Sequence, residues 1–146
     1  MENSGCCVGG NAGKISLTVV RLVLGFIFFM HGGQKVMGWF GGHGLAGTVQ
    51  MMTGMGLPAA VVYLVAFGEF LGGIGLIFGI LSRLAAADIA IIMTGAIVTI
   101  HFKNGFFMEN HGLEYPLALA AMAISVVLGG GGCCALDNLF CKKKAA

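Results

Sequence analysis

Charge is what this sequence has least of. Lys, Arg, Asp and Glu together make up 10% of its 146 residues, against 58% hydrophobic residues and a mean hydropathy of +0.94. Soluble domains carry about 25% charged residues, so this composition excludes an ordinary water-exposed surface. Proline is nearly absent, and its two copies, Pro58 and Pro116, both fall where a helix is expected to start. Among the five cysteines there is no C-x-x-C pair, and the chain has neither a C-x-x-C-H haem attachment nor a strand-to-helix dinucleotide fingerprint. Nothing in the sequence therefore supplies an electron carrier of its own.

What is present is four long apolar runs, 15–37, 58–81, 84–102 and 115–132. Each approaches the ~20 residues a helix needs to cross hydrocarbon, and none alternates as a barrel strand would. The expected fold is all-α, a polytopic four-transmembrane-helix bundle in the plasma (inner) membrane. The first run is too long for a cleaved signal and no small-residue cleavage site follows it, so it is expected to be retained. Six of the eight Lys and Arg, namely Lys14, Arg21, Arg83, Lys142, Lys143 and Lys144, alternate with Lys35 and Lys103 across the runs. That split predicts both termini on the cytoplasmic side. The domain division is a flexible tail over 1–14, the bundle over 15–132, and a cytoplasmic Cys/Lys-containing tail over 133–146.

The first run ends in FFMHGGQK, where His31, Gln34 and Lys35 fall at i, i+3 and i+4 and share one helical face. Glu69, His101 and Glu114, each from a different run, are the candidate partners of that face at the outer side. An ionised carboxylate at the position of Glu69 is costly in lipid, so it must be paired or protonated, and a functional role is favoured over a structural bridge to Lys35 or His31. At ~1.5 Å per residue, Glu69 lies roughly 16 Å below Pro58 and below the two histidines, so joining them in one site calls for an intervening water-filled funnel. Glu114 is equally explained as a favourable charge at a helix N-terminus.

Other residues carry plainer readings. Arg21 is expected to snorkel to the headgroups rather than pair with Asp88, and Arg83 with Asp88 to form an interfacial pair. Trp39, Tyr63 and Tyr115 suit interfacial anchors. Gly68, Gly72, Gly75 and Gly79 are spaced for close helix approach, within the bundle in preference to a dimer. A short interfacial helix over 49–55 would turn Met51, Met52 and Met55 to lipid; these methionines read as filler in preference to a Met/His copper site with His43 and His31. Cys6, Cys7, Cys133, Cys134 and Cys141 are expected as reduced cytoplasmic thiols with no metal, since adjacent cysteines chelate a tetrahedral ion poorly.

Taken together, RLVLGFIFFMHGGQK, a Glu in the second helix followed by GGIGLIFGILSRLAA, then HF and GLEYPLALA are similar to the DoxX family of small four-helix membrane proteins. The likeness covers roughly 20–128 and leaves both cysteine-bearing ends outside it. It implies a subunit associated with quinol oxidase or thiosulfate:quinone oxidoreductase complexes, and a link to oxidative and thiol stress.

The function expected is that of a redox-complex subunit. It would bind a quinone through His31, Gln34, Lys35, Glu69, His101 and Glu114, with Glu69, His101 and His31 as the catalytic, proton-exchanging groups. Haem on His31 and His101 is the less favoured variant. The partners expected are lipid, another protein subunit or further copies of the chain, and no nucleic acid. A non-catalytic membrane anchor or assembly factor is the alternative. A small transporter is disfavoured because four helices leave little room for alternating access.

Overall fold

The computed structural model describes residues 10–138, and those residues contain helices and no strand. The expectations for Cys6, Cys7, Cys141 and Lys142 to Lys144 lie outside them. Five α-helices follow in order: α1 (Asn11–Val36), α2 (Gly44–Gly54), α3 (Ala59–Phe78), α4 (Ser82–Ala96) and α5 (Glu114–Gly129). α4 continues through a π-helical turn at Ile97–His101 and a 3-10 turn at Phe102–Asn104. α1, α3 and extended α4 are long and apolar enough to span a bilayer. α5, at 16 residues, is about 24 Å long and shorter than the hydrocarbon core, a mismatch that local thinning of the bilayer absorbs.

α1, α3, α4 and α5 close a ring in which each packs on the next. The direction follows from which glycines meet which partners. Gly25 lies against Leu76 and Ile77, and Gly32 against Phe70, so α1 and α3 run antiparallel. On the other side of α3, Gly68 lies against Asp88, Gly72 against Ile89 and Gly75 against Ala85, so α3 and α4 are antiparallel too. Lipid is as apolar as a leucine core, and helices in it associate through such close packing rather than through exclusion of water. The α3 glycines are thus used within the bundle. Leu24 and Phe28, Leu76, Ile89 and Met93, and Leu119 and Val126 fill the centre from the four helices.

α1 begins at Asn11, so the expected tail gives way to helix before residue 15. α3 starts after Pro58, whose carbonyl accepts from Val61 and Val62 N–H, and it stops at Gly79, held at φ 69°. Leu81 then takes a left-handed φ of 49°, a conformation a γ-branched residue adopts only under external constraint. The constraint comes from the far end of the chain. Asp137 accepts from Leu81 N–H at 2.7 Å through Oδ1 and from Ser82 N–H at 2.8 Å through Oδ2, capping α4 from 55 residues away.

Residues 130–138 are docked on the bundle: Asp137 N–H donates to Gly79 O, Cys133 N–H to the Thr18 hydroxyl, and Asn138 Nδ2 to Gly132 O and Cys133 O. Arg21 is part of the same lock. It is 1% exposed, and its guanidinium donates to the carbonyls of Leu76, Ile77 and Cys134. Those first two carbonyls lie in the last turn of α3, where a cation meets the negative end of the helix dipole. Arg21 therefore neither snorkels nor pairs with Asp88. Arg83 is exposed, and the expected Arg83–Asp88 pair does not form; Asp88 faces Gly68 instead.

Candidate functional site

The crossing of α1 over α3 is what builds the site. Gly32 and Gly73 have no side chain to hold the two backbones apart, and the turn beyond Gly32 brings Lys35 opposite Glu69. Lys35 Nζ lies 2.5 Å from both Glu69 Oε1 and Oε2. The Glu69 side chain is 3% exposed and that of Lys35 26%, so the carboxylate is sealed in while its cation remains reachable. It is the one ion pair among the described residues. An unpaired carboxylate here would bear the full cost of leaving water, and the bidentate contact satisfies both of its oxygens.

α2 roofs the pair. Thr48, which is buried, donates its hydroxyl to Lys35 O at 3.3 Å, and Met52 is buried beside it while Met51 and Met55 stay exposed. Met52 therefore faces the protein, contrary to the expectation that all three methionines face lipid. The helix also begins at Gly44 rather than at residue 49. Trp39 covers Gly33 and meets Phe29 and Phe70 edge-on at 5.8 and 6.0 Å, which gives the site an aromatic wall. Thr48 and the Trp39 packing are components that sequence reasoning missed; both lie in the outer loop, whose path no periodicity reveals.

The other expected residues do not converge on Glu69. His31 is exposed and its Nδ1 is 2.9 Å from Ile27 O, one turn back in α1. His101 ends the π turn with Nδ1 2.7 Å from His111 O, where Asn104 Nδ2 also donates. A carbonyl can only accept, so in both histidines Nδ1 carries the hydrogen and Nε2 is the nitrogen left for other chemistry. Gln34 is half-buried, one residue before Lys35. Glu114 opens α5, where its N–H donates to Phe106 O, and it lines an outer depression of about 320 Å³ with Phe107, Met108 and Glu109. In the structure Glu69 bonds Lys35 directly, and His31 and His101 are each tied to a backbone carbonyl.

An ammonium has three N–H groups. Two of those on Lys35 are directed at Glu69, so one remains for an acceptor arriving at its exposed side. The pair can therefore hydrogen-bond a neutral carbonyl.

The DoxX family profile matches residues 16–102, which include Lys35 and Glu69. The chain belongs to the DoxX family. Among its relatives, "Putative oxidoreductase CatD" of Bacillus subtilis (strain 168) is 34% identical over 131 residues, covering 90% of this chain and 91% of the relative. "Inner membrane protein YqjF" of Escherichia coli (strain K12) is 29% identical over 135 residues, covering 88% of this chain and 95% of the relative. No solved structure matches the chain. Family membership and the apolar helices together describe a multi-pass protein of the plasma membrane, embedded in lipid.

Proposed function

We propose that this DoxX protein is the membrane subunit of an oxidoreductase system and that Lys35 and Glu69 receive the headgroup of a quinone from the outer leaflet. The observation that carries this reading is the asymmetry of the pair, a sealed carboxylate bound to a cation with one N–H still accessible. The residues fit a quinone at the rim of the bundle: Lys35 donates to a carbonyl oxygen, Gln34 lies next to it in the chain, and the Trp39, Phe29 and Phe70 rings supply an aromatic surface. Bound there, a quinone would supply two-electron redox chemistry with uptake of two protons. Glu69 and Lys35 hold and pass a proton at that rim. Electrons come from a partner subunit, because the sequence has no carrier motif. The name of the Bacillus relative agrees with an oxidoreductase role.

A second reading has its own support. Lys35 and Glu69 satisfy each other, and a surface groove of about 530 Å³ is lined by Ala90, Ile91, Thr94, Gly95, Val98 and Thr99 of α4 and its continuation, away from the helices that carry the pair. A non-catalytic anchor or assembly factor would have such a pair only to fix the bundle. The two readings separate on purification in mild detergent. Stoichiometric quinone in the lipid extract of wild type and Asp88→Asn, lost in Glu69→Gln and Lys35→Met, supports the first. A stoichiometric protein partner with no quinone supports the anchor, and a Soret band would restore the haem variant.

A further inference from the structure

Residues 16–102 carry the family match, and the docked segment 130–138 lies beyond it. In that segment Cys133 Sγ and Cys134 Sγ stand 3.5 Å apart, and both residues are exposed. Their surroundings are not equivalent. Cys133 Sγ lies 3.4 Å from the Thr18 hydroxyl, and its own N–H donates to that oxygen at 3.0 Å. Thr18 also donates to Lys14 O at 2.9 Å, so its single hydroxyl hydrogen can swing from that carbonyl to a sulfur that has become negative. Arg21 approaches from the other side, bonded to Cys134 O at 3.1 Å.

We infer that Cys133 and Cys134 form a thiol–disulfide exchange site for low-molecular-weight disulfides, with Cys133 as the attacking thiol and Cys134 as the resolving thiol. The Thr18 hydroxyl, the neighbouring Cys134 thiol and the Arg21 charge hold Cys133 below the ordinary thiol range. The hydrogen bond and the charge of Cys133 hold Cys134 above it. The thiolate is the nucleophile, so the first step falls to Cys133. Its Sγ attacks one sulfur of RS–SR, the S–S bond breaks, one RS⁻ leaves and takes a proton from water, and a mixed disulfide remains on Cys133. Cys134 then loses its proton to water and attacks Cys133 Sγ, expelling the second RS⁻, which takes a proton from water in turn. The sum is one dithiol oxidised to a disulfide and one small disulfide reduced to two thiols, by two electrons.

Adjacent Cα atoms are about 3.8 Å apart across a trans peptide, short of the ~4.4 Å at which ordinary disulfides begin. A bond closed between neighbours is strained and readily reduced, which makes the site reversible rather than structural. The peptide that must twist to close it carries Cys133 O, the acceptor of Asn138 Nδ2, and is flanked by the Cys133 N–H held on Thr18 and the Cys134 O held by Arg21. Oxidation therefore loosens the lock over the end of α3.

The test uses full-length protein in mild detergent, with Cys6, Cys7 and Cys141 replaced by Ser, treated with glutathione disulfide and read by mass spectrometry of the 133–134 peptide. The expected product is a peptide two hydrogens lighter with no glutathione attached. Cys134→Ser should retain one glutathionyl group on Cys133, and Cys133→Ser should react at least about tenfold more slowly. Thr18→Val should slow the reaction of Cys133 severalfold and Thr18→Ser should restore it, which a merely structural role for Thr18 would not produce. Equal rates for the two single-cysteine variants, or glutathionyl groups retained on both cysteines without a disulfide, would overturn the inference.

Discussion

Gly32 of α1 lies against the backbone of Phe70 in α3 so closely that a Cβ at Gly32 would stand 2.5 Å from both Phe70 N and Phe70 Cα. Glu69 is the residue before Phe70, and Lys35 is three residues beyond Gly32. The close crossing and the ion pair are therefore one arrangement: the glycine contact sets the helix separation that the lysine side chain has to bridge.

The glycine contact can be tested directly. Gly32→Ala and Gly73→Ala put a methyl against backbone that cannot yield, and overpacking of this kind costs about 1–3 kcal/mol. Gly95→Ala adds its methyl to open space and removes the helix penalty of glycine, so it should leave stability unchanged or raised. Gly42 is no neutral control, although the sequence puts it in an outer loop, because a Cβ there would run into the Gln34 backbone. Thermal unfolding in detergent measures all of these. Equal midpoints for Gly32→Ala and Gly95→Ala would remove the close crossing as the source of the site.

The unequal burial of Lys35 and Glu69 predicts unequal single-variant effects. Lys35→Met strands a sealed carboxylate, and breaking a buried pair in this way costs about 3–5 kcal/mol. Glu69→Gln leaves an ammonium that still reaches solvent, so its cost should be clearly smaller. The double variant Lys35→Met with Glu69→Gln should recover much of the Lys35→Met loss. Chemical denaturation in detergent gives the comparison, and additive losses in the double variant would mean that the two groups do not interact.

The helical bundle is legible in the sequence because hydrocarbon demands about 20 apolar residues per span, a local requirement. Glu69 as a residue in need of a partner is legible for the same reason. Which partner it takes is not, since that depends on the angle and depth at which α1 crosses α3. Arg21 shows the limit most clearly. A guanidinium near a helix start reads as a snorkelling side chain, and only the fold brings the last carbonyls of α3 within its reach. Asp137 has no local signal at all, because it caps a helix distant in the chain. The π turn that ends at His101 likewise follows no residue pattern in the sequence.

Asp137→Ala removes the oxygens that cap α4, and loss of a cap costs about 1 kcal/mol. It also frees Leu81 to leave its left-handed conformation, so the turn between α3 and α4 should loosen together with 130–138. Hydrogen exchange should rise in both segments, with α1 and the outer half of α3 unchanged. Faster exchange confined to 133–138 would show that the segment is docked independently of the α4 cap.

Orientation decides which compartment each site meets. The six-to-two division of Lys and Arg predicts Cys133 and Cys134 on the cytoplasmic side and His43 on the opposite one. All three positions are exposed, so accessibility within the protein does not bias a labelling comparison. In intact cells a membrane-impermeant maleimide should spare Cys133 and Cys134 and label His43→Cys, with all three labelled once the membrane is opened. Cys133 should also be the faster of the pair in opened membranes, because its thiol is held below the ordinary range and the thiolate is the reacting form. If the native pair labels in intact cells while His43→Cys does not, the bundle is inverted. Lys35 and Glu69 would then face the cytoplasm, and any quinone reaching them would exchange protons with that side.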